Sequence, residues 1–305
     1  MKFKYLQLKR IQTFLLGFLI IVSIFVISVM VKNILVNHNQ SLLNTNTPKQ
    51  TSNATVESVE KKATVSAKPK DTGGYYPTPS LYQLRVPILY YHYIGNNPNP
   101  ADLQRNALSI APDKFDEQMG YLKDNGYTTI SLDTLYAALK KQTTIPSKSV
   151  ILTFDDGYID FYYNAYPILK KYGLSATEFI PTGLIGQGAY LTWPQIQEMS
   201  SSGLILFGAH SVHHYSLISV PTSTLINEIT ESKRILQEEL GVPINFMAYP
   251  YGSTNSQVIS EVIKAGFIGA IGTWSNKNQS EGTIFNMPRI RISGSINLAT
   301  FASLL

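Results

Sequence analysis

Thr153-Phe154-Asp155-Asp156-Gly157 closes an uninterrupted apolar run, Ser149–Phe154. Neighbouring side chains on an extended chain point to opposite sides, so the two carboxylates are free to do different work. One can bind a metal while the other takes a proton, although an isolated Asp-Asp-Gly is also ordinary turn chemistry. A second cluster, His210-Ser211-Val212-His213-His214, follows the apolar run Leu204–Ala209. His210 and His214 stand four apart, and on one helical turn they would face the same way and could share a metal. Two histidines and one aspartate make a three-ligand site with open positions, as hydrolytic metal chemistry needs. A zinc-peptidase helix would carry Glu after the first histidine, and Ser211 stands there. His213 is expected to sit outside the ligand set. The third cluster, Phe246-Met247-Ala248-Tyr249-Pro250-Tyr251-Gly252, ends in a sharp Pro/Gly turn that can aim backbone N–H groups at a developing oxyanion.

The elements that must hold these clusters are strands ending in loops. Strand-like runs recur at Val86–Tyr91, Tyr127–Ile130, Ser149–Phe154, Ala176–Ile180, Leu204–Gly208, Ile244–Tyr249, Phe267–Ile271 and Met287–Ile292. Helical periodicity fills many of the gaps, at Pro112–Asp124, Leu132–Lys141, Tyr162–Tyr172, Trp193–Ser201, Thr222–Leu240 and Asn255–Ala265. Continuously apolar strands alternating with helices predict a parallel α/β sheet or a (β/α) barrel, in which strand C-terminal ends form the functional rim. Periodicity does not separate the two.

The chain has 305 residues and no cysteine, which excludes a disulfide scaffold, a cysteine nucleophile and thiolate metal sites. Only five histidines exist, at 38, 92, 210, 213 and 214. The net charge of +5 is unevenly placed. Residues 1–84 carry ten Lys and Arg against three Asp and Glu, whereas residues 85–305 carry fifteen against seventeen. The globular part therefore has no basic stripe, and no nucleic-acid partner is expected.

From Ile11 to Val31 no charge interrupts a run of mostly Leu, Ile, Val and Phe, a length that spans a bilayer as a helix. Lys2, Lys4, Lys9 and Arg10 precede it, which puts residues 1–10 in the cytoplasm and the rest outside. No small-residue cleavage site follows, so an uncleaved single-pass anchor over 11–31 is expected. Residues 32–85 read as a disordered extracellular linker rich in Asn, Thr, Ser, Lys and Pro, and residues 86–305 as the folded domain.

Together the three clusters resemble the polysaccharide deacetylase family, also called the NodB-homology family or carbohydrate esterase family 4. Its marks are a Thr-Phe-Asp-Asp-Gly strand end, a His-Ser/Thr-x-x-His pair and an Arg-x-Pro-Tyr-Gly turn, found here in order at Thr153–Gly157, His210–His214 and Ala248–Gly252. Ala176–Thr182 also resembles the family strand between the first two. The resemblance implies a deformed (β/α) barrel of the NodB-homology type and metal-dependent removal of N-acetyl groups from N-acetylglucosamine polymers. Two departures stand out. The third motif's arginine is replaced by Ala248, and no histidine occurs after His214 to supply the family's late Leu-x-His general acid. His92, at the exit of Val86–Tyr91, compensates for the second, since first and last strands of a barrel are neighbours. This pattern is similar to the permuted branch that includes the poly-β-1,6-N-acetylglucosamine deacetylases.

On that resemblance Asp156, His210 and His214 hold a divalent metal, zinc or another transition ion, Asp155 is the base, His92 the acid, and the Tyr251 N–H meets the oxyanion. Tyr251, Trp193, Trp274 and Tyr190 are the candidate sugar platforms. For the missing arginine, Pro288–Ile292 offers Arg289 and Arg291 alternating with isoleucine, so both guanidinium groups share one face. An unpaired guanidinium inside a barrel is costly, which makes Arg289 the expected partner of Asp155. The alternative is a non-catalytic carbohydrate-binding or sensing module on the same fold, which would not need Asp155, the ligand histidines and His92 together. A glycosidase would have no use for the histidine pair. The expected substrate is an N-acetylated polysaccharide of the cell envelope, poly-N-acetylglucosamine or peptidoglycan, with no obligate protein partner.

Overall fold

The computed structural model describes residues 82–305. The expected anchor, residues 11–31, and most of the expected linker lie outside the described residues. Among the described residues no helix is long and apolar enough to cross a membrane. The linker boundary at residue 85 is corrected. Gln83–Arg85 form a strand, β1, that pairs antiparallel with Asn278–Ser280. The folded domain thus begins upstream of Val86, because the extended backbone of 83–85 finds an edge to bond.

The elements run in the order β2 (Ile88–Tyr91), β3 (Tyr93–Ile94), α1 (Leu103–Leu108), β4 (Ser109–Ile110), α2 (Pro112–Asp124), β5 (Thr128–Thr129), α3 (Leu132–Leu139), β6 (Ser149–Asp155), α4 (Tyr166–Tyr172), β7 (Ala176–Ile180), α5 (Trp193–Ser201), β8 (Ile205–Ala209), α6 (Thr222–Leu240), β9 (Phe246–Ala248), α7 (Ser256–Lys264), β10 (Gly269–Ile271), β11 (Asn278–Ser280), β12 (Ile290–Arg291) and α8 (Leu298–Ser303). The main sheet has the order β10-β9-β8-β7-β6-β2-β12 and every pair in it is parallel. The two end strands, β10 and β12, do not pair along their length. The seam closes just ahead of β12, where Ile271 of β10 bridges Met287 through backbone hydrogen bonds of 2.9 Å from Gly272 to Met287 and from Met287 to Ala270, and the Arg289 N–H bonds the Trp274 carbonyl at 3.0 Å. The architecture is a parallel half-barrel with a seam, which settles the choice left open by periodicity and falls short of full closure.

Alternation along the strands decides what reaches the interior. On β6, Val150, Leu152 and Phe154 join the cluster under the helices, whereas Ile151 packs in the inner cluster with Ile88, Phe179, Phe246 and Ile271. Thr153 and Asp155 follow Ile151 on that inner face. At β12, Ile290 and Ile292 go to the helix side, so Arg289 and Arg291 turn the other way.

The helices begin and end where local chemistry places them. Pro112 stands in the first turn of α2, and Phe115, Gln118, Met119 and Leu122 form its buried stripe. α6 ends at Gly241, whose φ of 65° is the left-handed cap glycine favours. The expected helix from Tyr162 departs from regular geometry. Residues Phe161–Ala165 form a π turn in which the Tyr166 N–H reaches the Phe161 carbonyl. Pro167 has no N–H to give the carbonyl four residues back, so the turn ahead of it widens. Residues 92–111 have no clear period in the sequence, yet they form α1 and the parallel β3–β4 pair. Asp102 caps α1 by accepting the Arg105 N–H at 2.9 Å.

Candidate metal and catalytic centre

The strand ends converge on a cleft of about 660 Å³, lined by His92, Asp155, Asp156, His210, His214, Tyr251 and several tyrosines. His92 leaves β2, Asp155 is the last residue of β6, and His210 follows β8. Side chains from opposite ends of the sequence are thereby brought to one rim.

Asp156, His210 and His214 offer three ligand atoms within 4.8 Å of one another. Asp156 Oδ1 lies 3.3 Å from His210 Nε2 and 3.0 Å from His214 Nε2. These are close approaches and not well-formed hydrogen bonds, for the same Oδ1 is a buried acceptor with no bonded partner. His210 Nδ1 lies 2.8 Å from the Ala248 carbonyl oxygen. A carbonyl only accepts, so Nδ1 carries the proton and the Nε2 lone pair faces Asp156. Burial by itself would raise the Asp156 carboxyl, but with no cation bound, protonated His210 and His214 imidazoles would donate to it and hold it well below the usual carboxylate range. An orphaned carboxylate oxygen beside two imidazole nitrogens, with no thiolate, fits a divalent cation of the zinc type.

The backbone around these ligands is strained. Asp156, Ser211, His214 and Tyr251 have φ of 79°, 63°, 59° and 60°, and Lys141 is the only other described non-glycine residue with positive φ. Such residues cost about 1–3 kcal/mol each and persist where surrounding structure holds them. The expectation of a helical turn at His210–His214 is corrected. The segment is a loop, and the two left-handed residues, Ser211 and His214, bring the rings to 4.8 Å between centroids. Ser211 Oγ accepts the His214 N–H at 2.9 Å. The Thr182 and Gly183 N–H groups bond the Ser211 and Val212 carbonyls at 3.2 and 2.8 Å. A side chain at Gly183 would stand 2.8 Å from the Val212 oxygen, so only glycine allows that approach. His213 turns away from the cluster, and its Nδ1 donates to Glu228 Oε1 at 2.6 Å.

Asp155 is held in a fork. Arg289 Nη1 and Nη2 donate to its Oδ1 and Oδ2 at 2.8 and 2.7 Å. Arg289 is fully buried, its Nε bonds the Gly272 carbonyl at 2.8 Å, and its guanidinium lies 4.3 Å over the Tyr90 ring. Burial raises the Asp155 carboxyl, and the Arg289 charge more than reverses this, leaving it below the ordinary value. At the family's arginine position Ala248 contributes its carbonyl to His210 instead. Arg291, on the same face, lines the cleft.

His92 also lines the cleft, and burial lowers its pKa despite the opposing pull of Asp155 and Asp156. Below the rim, Glu178 Oε1 accepts the Gly157 N–H at 3.0 Å, and burial pushes its carboxyl well above the usual range.

Of the aromatic candidates, Tyr190 and Tyr251 line the cleft, and Tyr251 is 68 % exposed with its ring 4.6 Å from that of His214. Trp193 and Trp274 are not among the residues that line it. Trp193 packs against two of the hydrophobic clusters, and the Trp274 indole N–H bonds the Asn286 carbonyl at 2.8 Å. Sequence reasoning missed Tyr93 and Tyr158. Tyr93 stacks on Tyr158 at 3.8 Å and Tyr158 on Tyr190 at 5.4 Å, while Arg105 lies 3.4 Å over Tyr93. Together they form one wall of the cleft. Glu228 was missed too, although a carboxylate within the apolar stripe of residues 222–240 is a readable signal.

Comparison with known proteins agrees with this geometry. A family model described as polysaccharide deacetylase matches residues 142–270. A poly-beta-1,6-N-acetyl-D-glucosamine N-deacetylase of Staphylococcus aureus is 30% identical over 199 residues, covering 61% of this chain and 68% of that protein. Among solved structures, the Streptococcus pyogenes deacetylase PplD in complex with acetate superposes with a TM-score of 0.68 at 33% identity, covering 74% of this chain and 99% of that one. A polysaccharide deacetylase from Bacillus cereus gives a TM-score of 0.65 at 26% identity, covering 73% and 69%.

Proposed function

Because the chain belongs to the polysaccharide deacetylase family, hydrolases that act on amide bonds, we propose that it removes N-acetyl groups from N-acetylglucosamine residues of an extracellular or cell-wall polysaccharide, with poly-N-acetylglucosamine favoured over peptidoglycan. The observation that carries this reading is the Arg289-clamped Asp155 beside the orphaned Asp156 oxygen in an open cleft. The acetate in the streptococcal structure is the acid such a reaction releases, and the staphylococcal relative's name supplies the preferred polymer.

Asp156, His210 and His214 would hold a divalent cation. When bound, it supplies Lewis acidity toward the acetamide carbonyl and the attacking water. Asp155, kept ionised by Arg289, accepts the proton that water loses as its oxygen attacks the carbonyl carbon. The Tyr251 N–H, at a left-handed turn on the rim, would donate to the developing oxyanion. Protonated His92 then gives a proton to the sugar nitrogen as the C–N bond breaks, acetate and a free amine leave, and the proton held by Asp155 returns to His92 or to solvent. General acid–base steps contribute about 10²–10⁴-fold each. The ring faces of Tyr93, Tyr158, Tyr190 and Tyr251 suit the flat apolar faces of sugars. The uncharged run at 11–31 supports attachment to the cell membrane with this domain outside.

The deciding assay follows acetate and free amine from β-1,6-linked N-acetylglucosamine oligosaccharides and from peptidoglycan glycan strands, with metal removed by chelation and then restored. Release from the first substrate that stops with chelator is expected, and no release from either would refute the function. His214→Ala is expected to abolish metal retention after desalting while His213→Ala keeps it. Equal losses in elemental analysis would mean the wrong histidine was assigned.

A further inference from the structure

Leu225, Glu228, Ile229, Ser232 and Leu236 make the buried stripe of α6, and Glu228 is its one ionisable member. A carboxylate 1 % exposed in such a stripe is tolerated only if donors surround it. All three of its donors come from two adjacent residues between the ligand histidines. Glu228 Oε2 accepts the Val212 and His213 N–H groups at 2.9 and 2.8 Å, and Oε1 accepts the His213 Nδ1–H at 2.6 Å. The Val212 carbonyl is bonded from the opposite side by the Gly183 N–H. The loop is therefore pinned between α6 and the turn after β7. Its two flanking residues, Ser211 and His214, adopt left-handed backbone that neither side chain favours by itself.

We propose that Glu228 is a positioning residue for the metal centre. By clamping Val212 and His213 it fixes how His210 and His214 face each other, so the ligand pair is set before a cation arrives. This rests on the reading of Asp156, His210 and His214 as ligands, and it assigns His213 a role as a tether. Outer partners of this kind typically change metal affinity about 10–100-fold when removed.

The test is zinc affinity of the full chain, measured by competition with a chromophoric chelator, together with the melting temperature of the metal-free protein. Glu228→Leu leaves two buried N–H groups without an acceptor and is expected to weaken zinc binding by about 10–100-fold. Glu228→Gln keeps an oxygen for both amides, and its N–H can donate to His213 Nδ1 once the imidazole proton moves to Nε2, so it should retain most of the affinity. Leu236→Ala opens a cavity elsewhere in the same stripe. It should lower the melting temperature and leave zinc affinity as in the wild type, which separates positioning from general destabilisation. Wild-type affinity in Glu228→Leu, or an equal loss in Leu236→Ala, would overturn the proposal. If Glu228→Leu does not fold, Glu228→Ala decides: wild-type affinity in it overturns the proposal and weakened affinity supports it. A wild-type chain that binds no zinc would overturn the metal reading itself, and this proposal with it.

Discussion

Asp155→Asn is expected to lower the turnover number by about 10²–10⁴-fold while metal content stays at the wild-type level. The substitution is nearly isosteric, so the amide oxygen can still accept from one arm of Arg289. The amide nitrogen opposes the other arm, N–H against N–H, and the group no longer has a basic lone pair to take a proton from water. The three proposed ligands are untouched, which is why metal retention and catalysis should separate. Single-turnover acetate release together with elemental analysis reads both. A variant with full metal and turnover within tenfold of wild type would move the base to another residue.

Arg289→Ala is expected to produce the largest loss of stability of any single change at the site, about 3–5 kcal/mol, because it strands a buried carboxylate. It removes the fork to Asp155 and the bonds to Gly272 and Thr153 together. Turnover should fall as well, since the base loses its orientation. Arg289→Lys should restore little, because one ammonium cannot reproduce a planar fork. The pH dependence has a definite sign. In the wild type the folded value of Asp155 lies below its unfolded value near 3.8. The pair's contribution is thus complete above that unfolded value and is lost as pH falls through the folded one. Without Arg289, burial dominates and the folded value rises above the unfolded one. The variant then gains stability relative to its unfolded state as pH falls toward 4, so its deficit should be widest near neutrality. Urea unfolding of both metal-free proteins at pH 7.5 and 4.5 measures this, and a gap that does not narrow on acidification would contradict it.

Much of the framework is legible in the residues themselves. The spans Pro112–Asp124, Trp193–Ser201 and Thr222–Leu240 coincide with the expected helices, because Pro at the start or Gly near the end marks their limits and an apolar stripe runs between. The buried strands read as apolar runs for the same local reason. What escaped depends on partners distant in sequence. The His210–His214 loop is shaped by Gly183 and Glu228, neither of which a local period can associate with it. Trp193 and Trp274 sit near loops, but their packing against helices and a backbone carbonyl is decided by the three-dimensional neighbours. The wall built from Tyr93, Tyr158, Tyr190 and Arg105 combines a segment with no clear period and two loops. The seam between β10 and β12 likewise follows from how far the sheet curls, which no strand records.

The pairing of β12 with β2 joins residue 290 to residue 89, and this sets an order of events during synthesis. A nascent chain grows at about 5–20 residues per second, N-terminal end first. By the time residue 214 has emerged, every proposed ligand and the base have been made. Asp155 nevertheless has no counter-charge until Arg289 appears, and β2 keeps an unpaired edge of the kind that invites aggregation until β12 docks. Contacts so distant along the chain make for slow, late consolidation. A chain cut short before residue 289 would therefore carry the whole ligand set and still lack a fixed base. Hydrolytic competence arrives as a final step, with the last strand.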